Sequence, residues 1–116
     1  MEERRKFVRL DTRLNISYSV LSAGEVKRTV AKNIAGDGLC IISEQLLSIG
    51  SRLQVVMKLP DREKEINFVA EVVWSEAYEL IGKSERRKAA ESGLRFVEIS
   101  PEDKEAIMQH VILSLR

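Results

Sequence analysis

The longest alternating stretch of this chain is Ile66-Asn67-Phe68-Val69-Ala70-Glu71-Val72-Val73-Trp74. Apolar residues occupy every second position, at 66, 68, 70, 72 and 74, which is the repeat of a β-strand with one buried face. We therefore predict that these side chains face a core. A strand of this kind needs partners, and the sequence on both sides of it contains them.

Five further segments have the alternation or the apolar composition of strands, and turn residues such as Gly and Pro separate them. These segments lie at residues 14–20, 25–32, 39–43, 53–59 and 93–99. Six strands joined mostly by short turns predict an all-β, antiparallel barrel that is closed or nearly closed.

The connection between residues 76 and 91 is predicted to be long and irregular, with a helical turn over residues 78–81. Its basic residues are Lys83, Arg86, Arg87 and Lys88. A charge run usually marks a solvated surface, although long loops in compact domains are often functional. The sequence leaves the role of residues 83–88 open.

The C-terminal segment has the signals of a helix over residues 101–115. Ser100 can cap its N-terminus, and Pro101 suits the first helical position because no N–H is needed there. Apolar residues then recur at helical spacing. They are Ile107, Met108, Val111, Ile112 and Leu115. We expect this face to cover one mouth of the barrel, with contact to a partner as the alternative.

Composition restricts the size and the ligands of the protein. The chain has 116 residues, 44% of them hydrophobic, which suits one domain with a packed core. Its 19 Lys and Arg residues nearly balance its 18 Asp and Glu residues, and the net charge is +1. Bulk attraction to the phosphates of DNA or RNA is therefore not expected. An anion that binds here must meet a local cluster of positive charge.

The chain contains one cysteine, Cys40, within the apolar run Leu39-Cys40-Ile41-Ile42. No internal disulfide can form, which fits a reducing compartment, and Cys40 is expected to be a small buried hydrophobe. The first residues lack the apolar stretch of a signal peptide, and no later segment is long enough to span a bilayer. We expect a cytoplasmic protein without membrane insertion.

Two short segments carry the residues with binding chemistry. They are the basic run Arg4-Arg5-Lys6-Phe7-Val8-Arg9 and the glycine turn Asn33-Ile34-Ala35-Gly36-Asp37-Gly38. Arginine donates a planar fork of N–H groups to guanine or phosphate, and its flat face stacks on purines. Asn33 can accept from the N1–H and N2–H edge of guanine. The backbone N–H groups of Gly36 and Gly38 are open to a ligand because no side chain covers them.

These segments resemble the signature of the PilZ domain family, an Arg-x-x-x-Arg arm followed by an Asp/Asn-x-Ser-x-x-Gly turn. Arg5 and Arg9 match the arm, and Asn33 and Gly38 match the turn. Two later segments also resemble the family, namely Val72-Val73-Trp74 and Gly93-Leu94-Arg95-Phe96. The resemblance therefore covers nearly the whole chain.

The resemblance implies a receptor for cyclic di-GMP, with a flexible arm over residues 1–12 and a PilZ-like split barrel over residues 13–116. The arm would fold across the barrel when the nucleotide binds. The ligand-binding residues that it implies are Arg4, Arg5, Arg9, Asn33, Ala35, Gly36 and Gly38. Ala35 stands where the motif has serine. A lost hydrogen bond to a charged group costs about 1.5–3 kcal/mol, so we expect weakened binding.

We further expect an unidentified effector protein to bind the ligand-bound surface, and the chain to be a monomer or a homodimer.

The first alternative to a receptor is a PilZ-like barrel that has lost nucleotide binding and acts as a protein–protein adaptor. Ala35 favours this alternative, and the intact Arg5 and Arg9 oppose it. The second is a barrel for single-stranded nucleic acid, but aromatic residues for stacking are only 5% of the chain. No catalytic or metal-ligand motif points to an enzyme, and no cofactor is expected.

Overall fold

The computed structural model describes residues 10–60, 62–81 and 86–114. Within them, six strands precede one helix, with the bounds β1 Leu10–Val20, β2 Val26–Ala35, β3 Gly38–Ser43, β4 Arg52–Met57, β5 Ile66–Ile81, β6 Arg86–Glu98 and α1 Pro101–Ser114. The strands close into a barrel in the order β1-β2-β3-β6-β5-β4, and every neighbouring pair is antiparallel. The predicted six-stranded antiparallel barrel with a C-terminal helix is confirmed.

The barrel interior is filled by the apolar positions of the alternating segments. In β1, Leu14 and Ile16 are buried, whereas Asn15 between them is exposed. The same alternation holds in β4. All six strands and the helix contribute residues to one core cluster. Burial of these side chains around a shared interior is what favours closure of the sheet.

Helix α1 begins as the sequence predicts, but a smaller part of its apolar face is buried. The backbone N–H of Asp103 donates to Ser100 Oγ at 3.1 Å, which is the N-cap hydrogen bond. Ile107 and Val111 join the core, whereas Met108 and Ile112 are exposed. Leu115, the last residue of the predicted face, lies outside the described residues. None of the described helices has the length and hydropathy to cross a bilayer.

The boundary between arm and barrel differs from the prediction by three residues. Strand β1 begins at Leu10, so residues 10–12, which the sequence placed in the arm, belong to the barrel. Leu10 pairs with Ile34 and Asp11 pairs with Asn33, and a bulge follows before Leu14. The charged side chain of Asp11 points to solvent, so it does not prevent the backbone from pairing, and the exposed Arg13 lies within the bulge.

The prediction of an irregular connection over residues 76–91 is wrong. β5 continues to Ile81 and β6 begins at Arg86, with pairs from Glu76↔Glu91 to Ile81↔Arg86. These strands form a ribbon that extends beyond the ends of β3 and β4. Glu76, Ala77, Glu79 and Lys88 are exposed. Ala89 and Ala90, which are neighbours, are both buried. Because exposed and buried side chains do not alternate among the described residues of this part, its sequence does not show the period of two that identifies the other strands.

We expect truncation of Ile107 to destabilise the domain, because its side chain is 0% exposed and fills the space between helix and barrel. Ile107→Ala should lower the free energy of unfolding by about 2–5 kcal/mol. Ile112→Ala, on the same helix and 59% exposed, is the matched control and should change it by less than about 0.5 kcal/mol. Urea denaturation measures both. Equal effects of the two changes would contradict the observed packing of the helix.

Candidate functional site

The predicted glycine turn is shorter in the structure than in the sequence analysis. Asn33, Ile34 and Ala35 are the last residues of β2, and Gly38 is the first residue of β3. Only Gly36 and Asp37 form the turn. The backbone N–H of Phe96 donates to Asp37 O at 3.1 Å, which fixes the turn against β6. The predicted residues of this segment therefore lie on paired strands and a two-residue turn, not on a free loop.

A bulge in β2 turns Asn33 to the outer face of the barrel, where neighbouring residues still bury it to 8% exposure. The register of β2 with β3 shifts between Ala31 and Asn33. Ala31 and Ile34, three positions apart, both belong to the core cluster. Since side chains alternate along a strand, the residues on either side of Ile34, Asn33 and Ala35, point to the opposite, outer face. The bulge thus places both on the same surface.

Small side chains cover the outer face beside Asn33, and we call this surface the small-residue floor. It consists of Ala35, Gly38, Cys40 and Gly93, which are all buried. The strand register aligns them, because Asn33 pairs with Cys40 and Cys40 with Gly93, while Ala35 pairs with Gly38. Such a surface lets a flat ring approach the backbone closely.

Trp74 forms one border of the small-residue floor, although its place in the alternating series predicted a core position. A bulge between Val72 and Trp74 shifts the register, so that Trp74 pairs with Gly93 and is 40% exposed. A Cβ added at Gly93 would lie 2.0 Å from the indole Nε1, so the ring rests directly on this glycine. The apolar doublet Val72-Val73, which interrupts the alternation, is the signal from which this bulge could have been predicted.

The same bulge turns the next residue of β5 inward. Ser75 Oγ lies 2.9 Å from Ser92 Oγ, and the backbone N–H of Leu47 donates to Ser75 Oγ at 3.3 Å. Ser92 is fully buried. A pair of inward hydroxyls therefore takes the place that Trp74 would have in an uninterrupted strand, and hydrogen bonding offsets their desolvation.

Gly38 is required by the packing of the barrel strands. A Cβ at this position would lie 1.9 Å from the carbonyl oxygen of Leu94, which is a backbone atom of β6. The neighbouring backbone cannot move aside easily, because β6 is paired on both edges here. Its predicted role in ligand access stays a prediction, whereas its need for the close packing of β3 and β6 is seen directly.

The charges next to the small-residue floor are partly neutralised. Burial raises the pKa of the Cys40 thiol, and nearby Glu91 raises it further, so this part of the surface is uncharged at neutral pH. Lys32 Nζ lies 2.7 Å from Glu91 Oε1, and this hydrogen bond raises the pKa of Lys32. Arg95, the Cα partner of Gly38, is a half-exposed cation at the border.

Arg4, Arg5 and Arg9 lie outside the described residues. The structure does show where the chain enters the barrel after them. Leu10 is the residue next to Arg9 in the sequence, and it pairs with Ile34, between Asn33 and Ala35. The chain that carries the arginines therefore joins the barrel at the strand that carries the predicted turn residues.

Two other grooves of the described surface have mixed charge. One of about 500 Å³ is lined by three basic side chains, Lys27, Arg28 and Lys88, and by two acidic ones, Glu25 and Glu44. One of about 560 Å³ runs along α1 beside Arg62. In the described parts of the chain, no group of three or more His, Cys, Asp or Glu side chains could hold a metal ion.

Known proteins with a similar sequence pattern or structure have the same fold as this chain. The family model described as PilZ domain matches residues 3–113. No curated protein matches the chain at the level of sequence. The structure of Bacillus subtilis inhibitor of motility, MotI/DgrA, is 27% identical with a TM-score of 0.77, and the match covers 98% of this chain and 52% of that one.

Two further solved structures have the same fold at lower identity. The PilZ domain with c-di-GMP of YcgR from Escherichia coli is 20% identical with a TM-score of 0.76, over 97% of this chain and 92% of that one. The K. pneumonia MrkH–c-di-GMP complex is 20% identical with a TM-score of 0.71, over 98% of this chain and 53% of that one. This chain spans about half the length of MotI and MrkH.

We expect a side chain at position 93 to displace the indole of Trp74. Trp74 is the one tryptophan of the sequence, so its fluorescence reports on this contact alone. Gly93→Ala should shift the emission maximum to longer wavelength and increase quenching by acrylamide. Ser22→Ala, at an exposed position in the turn after β1, is the control and should leave the spectrum unchanged. An unchanged spectrum of Gly93→Ala would show that the ring does not rest on Gly93.

Proposed function

This chain belongs to the PilZ domain family, and on that basis we propose that it is a receptor for cyclic di-GMP. The nucleotide binds on the outer face of β2, β3 and β6, over the small-residue floor. Solved structures of the YcgR PilZ domain and of MrkH with this nucleotide share the fold of this chain.

The observation that carries the proposal is the pairing of Leu10 with Ile34 and of Asp11 with Asn33. It brings the chain that follows the arginines to the strand that carries Asn33 and Ala35. An extended chain advances at most about 3.6 Å per residue, so Arg5 lies within roughly 18 Å of Leu10 along the backbone. That distance allows the arginines to reach a ligand over the small-residue floor.

In the proposed complex, each group has a role set by its chemistry. Arg5 and Arg9 donate to guanine and phosphate oxygens, and Arg4 adds positive charge. Asn33 accepts from the guanine N1–H and N2–H edge. The backbone N–H of Gly36, in the two-residue turn, donates to the nucleotide, and the missing side chain of Gly38 permits close approach.

Trp74 extends this set beyond the residues that the sequence identified. Its exposed ring borders the small-residue floor on the side opposite Asn33, and an indole face there suits a purine. The proposal includes no catalytic step. We propose that a partner protein in the cytoplasm reads the surface formed when the nucleotide and the N-terminal segment cover the barrel.

A barrel without nucleotide binding, acting as a protein–protein adaptor, is the second candidate, and Ala35 is the observation that favours it. Its methyl group replaces the hydroxyl of the family motif within the small-residue floor. Isothermal titration of the wild-type protein with cyclic di-GMP separates the two. Absence of heat at high micromolar nucleotide would favour the adaptor.

Loss of either motif arginine should weaken binding without unfolding the domain. Arg5→Ala or Arg9→Ala removes a charge-assisted hydrogen bond worth about 1.5–3 kcal/mol, which corresponds to roughly ten- to a hundredfold in Kd. Titration with cyclic di-GMP, followed by calorimetry or by Trp74 fluorescence, measures the change. The melting temperature of the ligand-free protein should stay close to that of wild type. A clearly lower melting temperature of the ligand-free variants would mean that these arginines stabilise the fold.

Restoring the motif serine should strengthen binding. Ala35→Ser adds a hydroxyl that can donate to the ligand, and we expect Kd to fall by about tenfold. Ala23→Ser, at an exposed position in the loop between β1 and β2, is the control and should leave Kd unchanged. Calorimetric titration of the two variants tests this. Equal or weaker affinity of Ala35→Ser would contradict the pose of the nucleotide over β2.

A further inference from the structure

A charged cluster at the border of the small-residue floor contains two arginines and one acid. Arg95 Nη2 donates to Glu71 Oε2 at 3.2 Å, and Arg52 Nε lies 3.7 Å from Glu71 Oε1. The two arginine side chains are 53% and 52% exposed. Because one carboxylate is shared by two guanidinium groups, the cluster retains a surplus of one positive charge at neutral pH.

The strand register places the two arginines at different distances from the small-residue floor. Gly38 pairs with Arg95, Arg95 pairs with Glu71, and Glu71 pairs with Arg52. Neighbouring strands are about 4.8 Å apart, so Arg95 stands one strand spacing from Gly38 and Arg52 stands three, roughly 14 Å. Only Arg95 is therefore adjacent to a ligand that lies over Gly38.

We propose that Arg95 is an additional ligand-binding residue, whose guanidinium donates to a phosphate oxygen of a cyclic dinucleotide lying on the small-residue floor. This inference rests on the proposed function and adds to it a cation on a rigid strand. Asn33 lies on the β2 side of the small-residue floor, whereas Arg95 lies on β6. The nucleotide is thus held from both sides of the floor.

The existing ion pair does not oppose this contact. Exposed ion pairs contribute little to stability, so a partial rearrangement of Arg95 costs little. A guanidinium has five N–H donors in a planar fork. Within the described part of the chain, Glu71 engages the Nη2 atom of Arg95. The same side chain can therefore contact Glu71 and a phosphate together, and the phosphate supplies the negative charge that the cluster lacks.

The matched variants Arg95→Ala and Arg52→Ala test the inference. They remove the same residue type, with the same ion-pair partner and nearly the same exposure, but at different distances from the small-residue floor. Calorimetric titration with cyclic di-GMP should give a Kd about tenfold higher or more for Arg95→Ala, and a Kd within twofold of wild type for Arg52→Ala. Arg95→Lys keeps the positive charge but loses the planar guanidinium. Its Kd should lie between the Kd of Arg95→Ala and that of wild type.

Thermal melting of the ligand-free variants separates binding from folding, and the two alanine variants should melt at similar temperatures. A wild-type Kd in Arg95→Ala would overturn this inference alone, since the receptor itself would still bind. An equal loss in Arg95→Ala and Arg52→Ala would also overturn it, because that pattern indicates general electrostatic attraction. Absence of binding by the wild-type protein would overturn the receptor proposal and this inference with it.

Discussion

The double pairing of β6 is the constraint on which the barrel and its outer surface depend. Between residues 90 and 95, β6 is bonded to β3 on one edge and to β5 on the other. Its backbone therefore cannot move sideways to make room for a neighbour. Gly38 accommodates the Leu94 carbonyl, and Gly93 accommodates the indole of Trp74. Because β6 is fixed, no larger side chain fits at either position without displacing its neighbour. The two glycines together form a flat surface beside Asn33.

Much of the fold could be predicted wherever one face of an element is buried. The alternation around Leu14 and Ile16 identified a strand because burial selects apolar side chains at every second position. Ser100 and Pro101 identified the start of the helix because backbone N–H groups at a helix N-terminus have few other acceptors. The ribbon beyond Glu76 was missed for the converse reason. Buried and exposed side chains do not alternate among its described residues, so its sequence lacks the period of two by which a strand is identified.

The site was predictable only in part, because two bulges decide which residues face it. Asn33 and Ala35 were identified from their motif, and the shift at Ala31 explains why both point outward. Trp74 was assigned to the core, since a strict period of two cannot anticipate an inserted residue. No sequence motif pointed to Arg95 as a residue of the candidate site. Its place beside Gly38 follows from the register of β3 and β6, which involves residues more than fifty positions apart.

The ribbon formed by the outer parts of β5 and β6 has a consequence for solubility. Beyond Ser43 and Arg52, the ladders of the described residues do not continue along its outer edges, and open edges attract strands of other molecules. Glu76, Glu79 and Lys88 place charges along these edges. A foreign strand docking there would have to bury or displace hydrated charges. The charges of this hairpin thus oppose edge-to-edge pairing with other molecules at a place where the sheet has open edges.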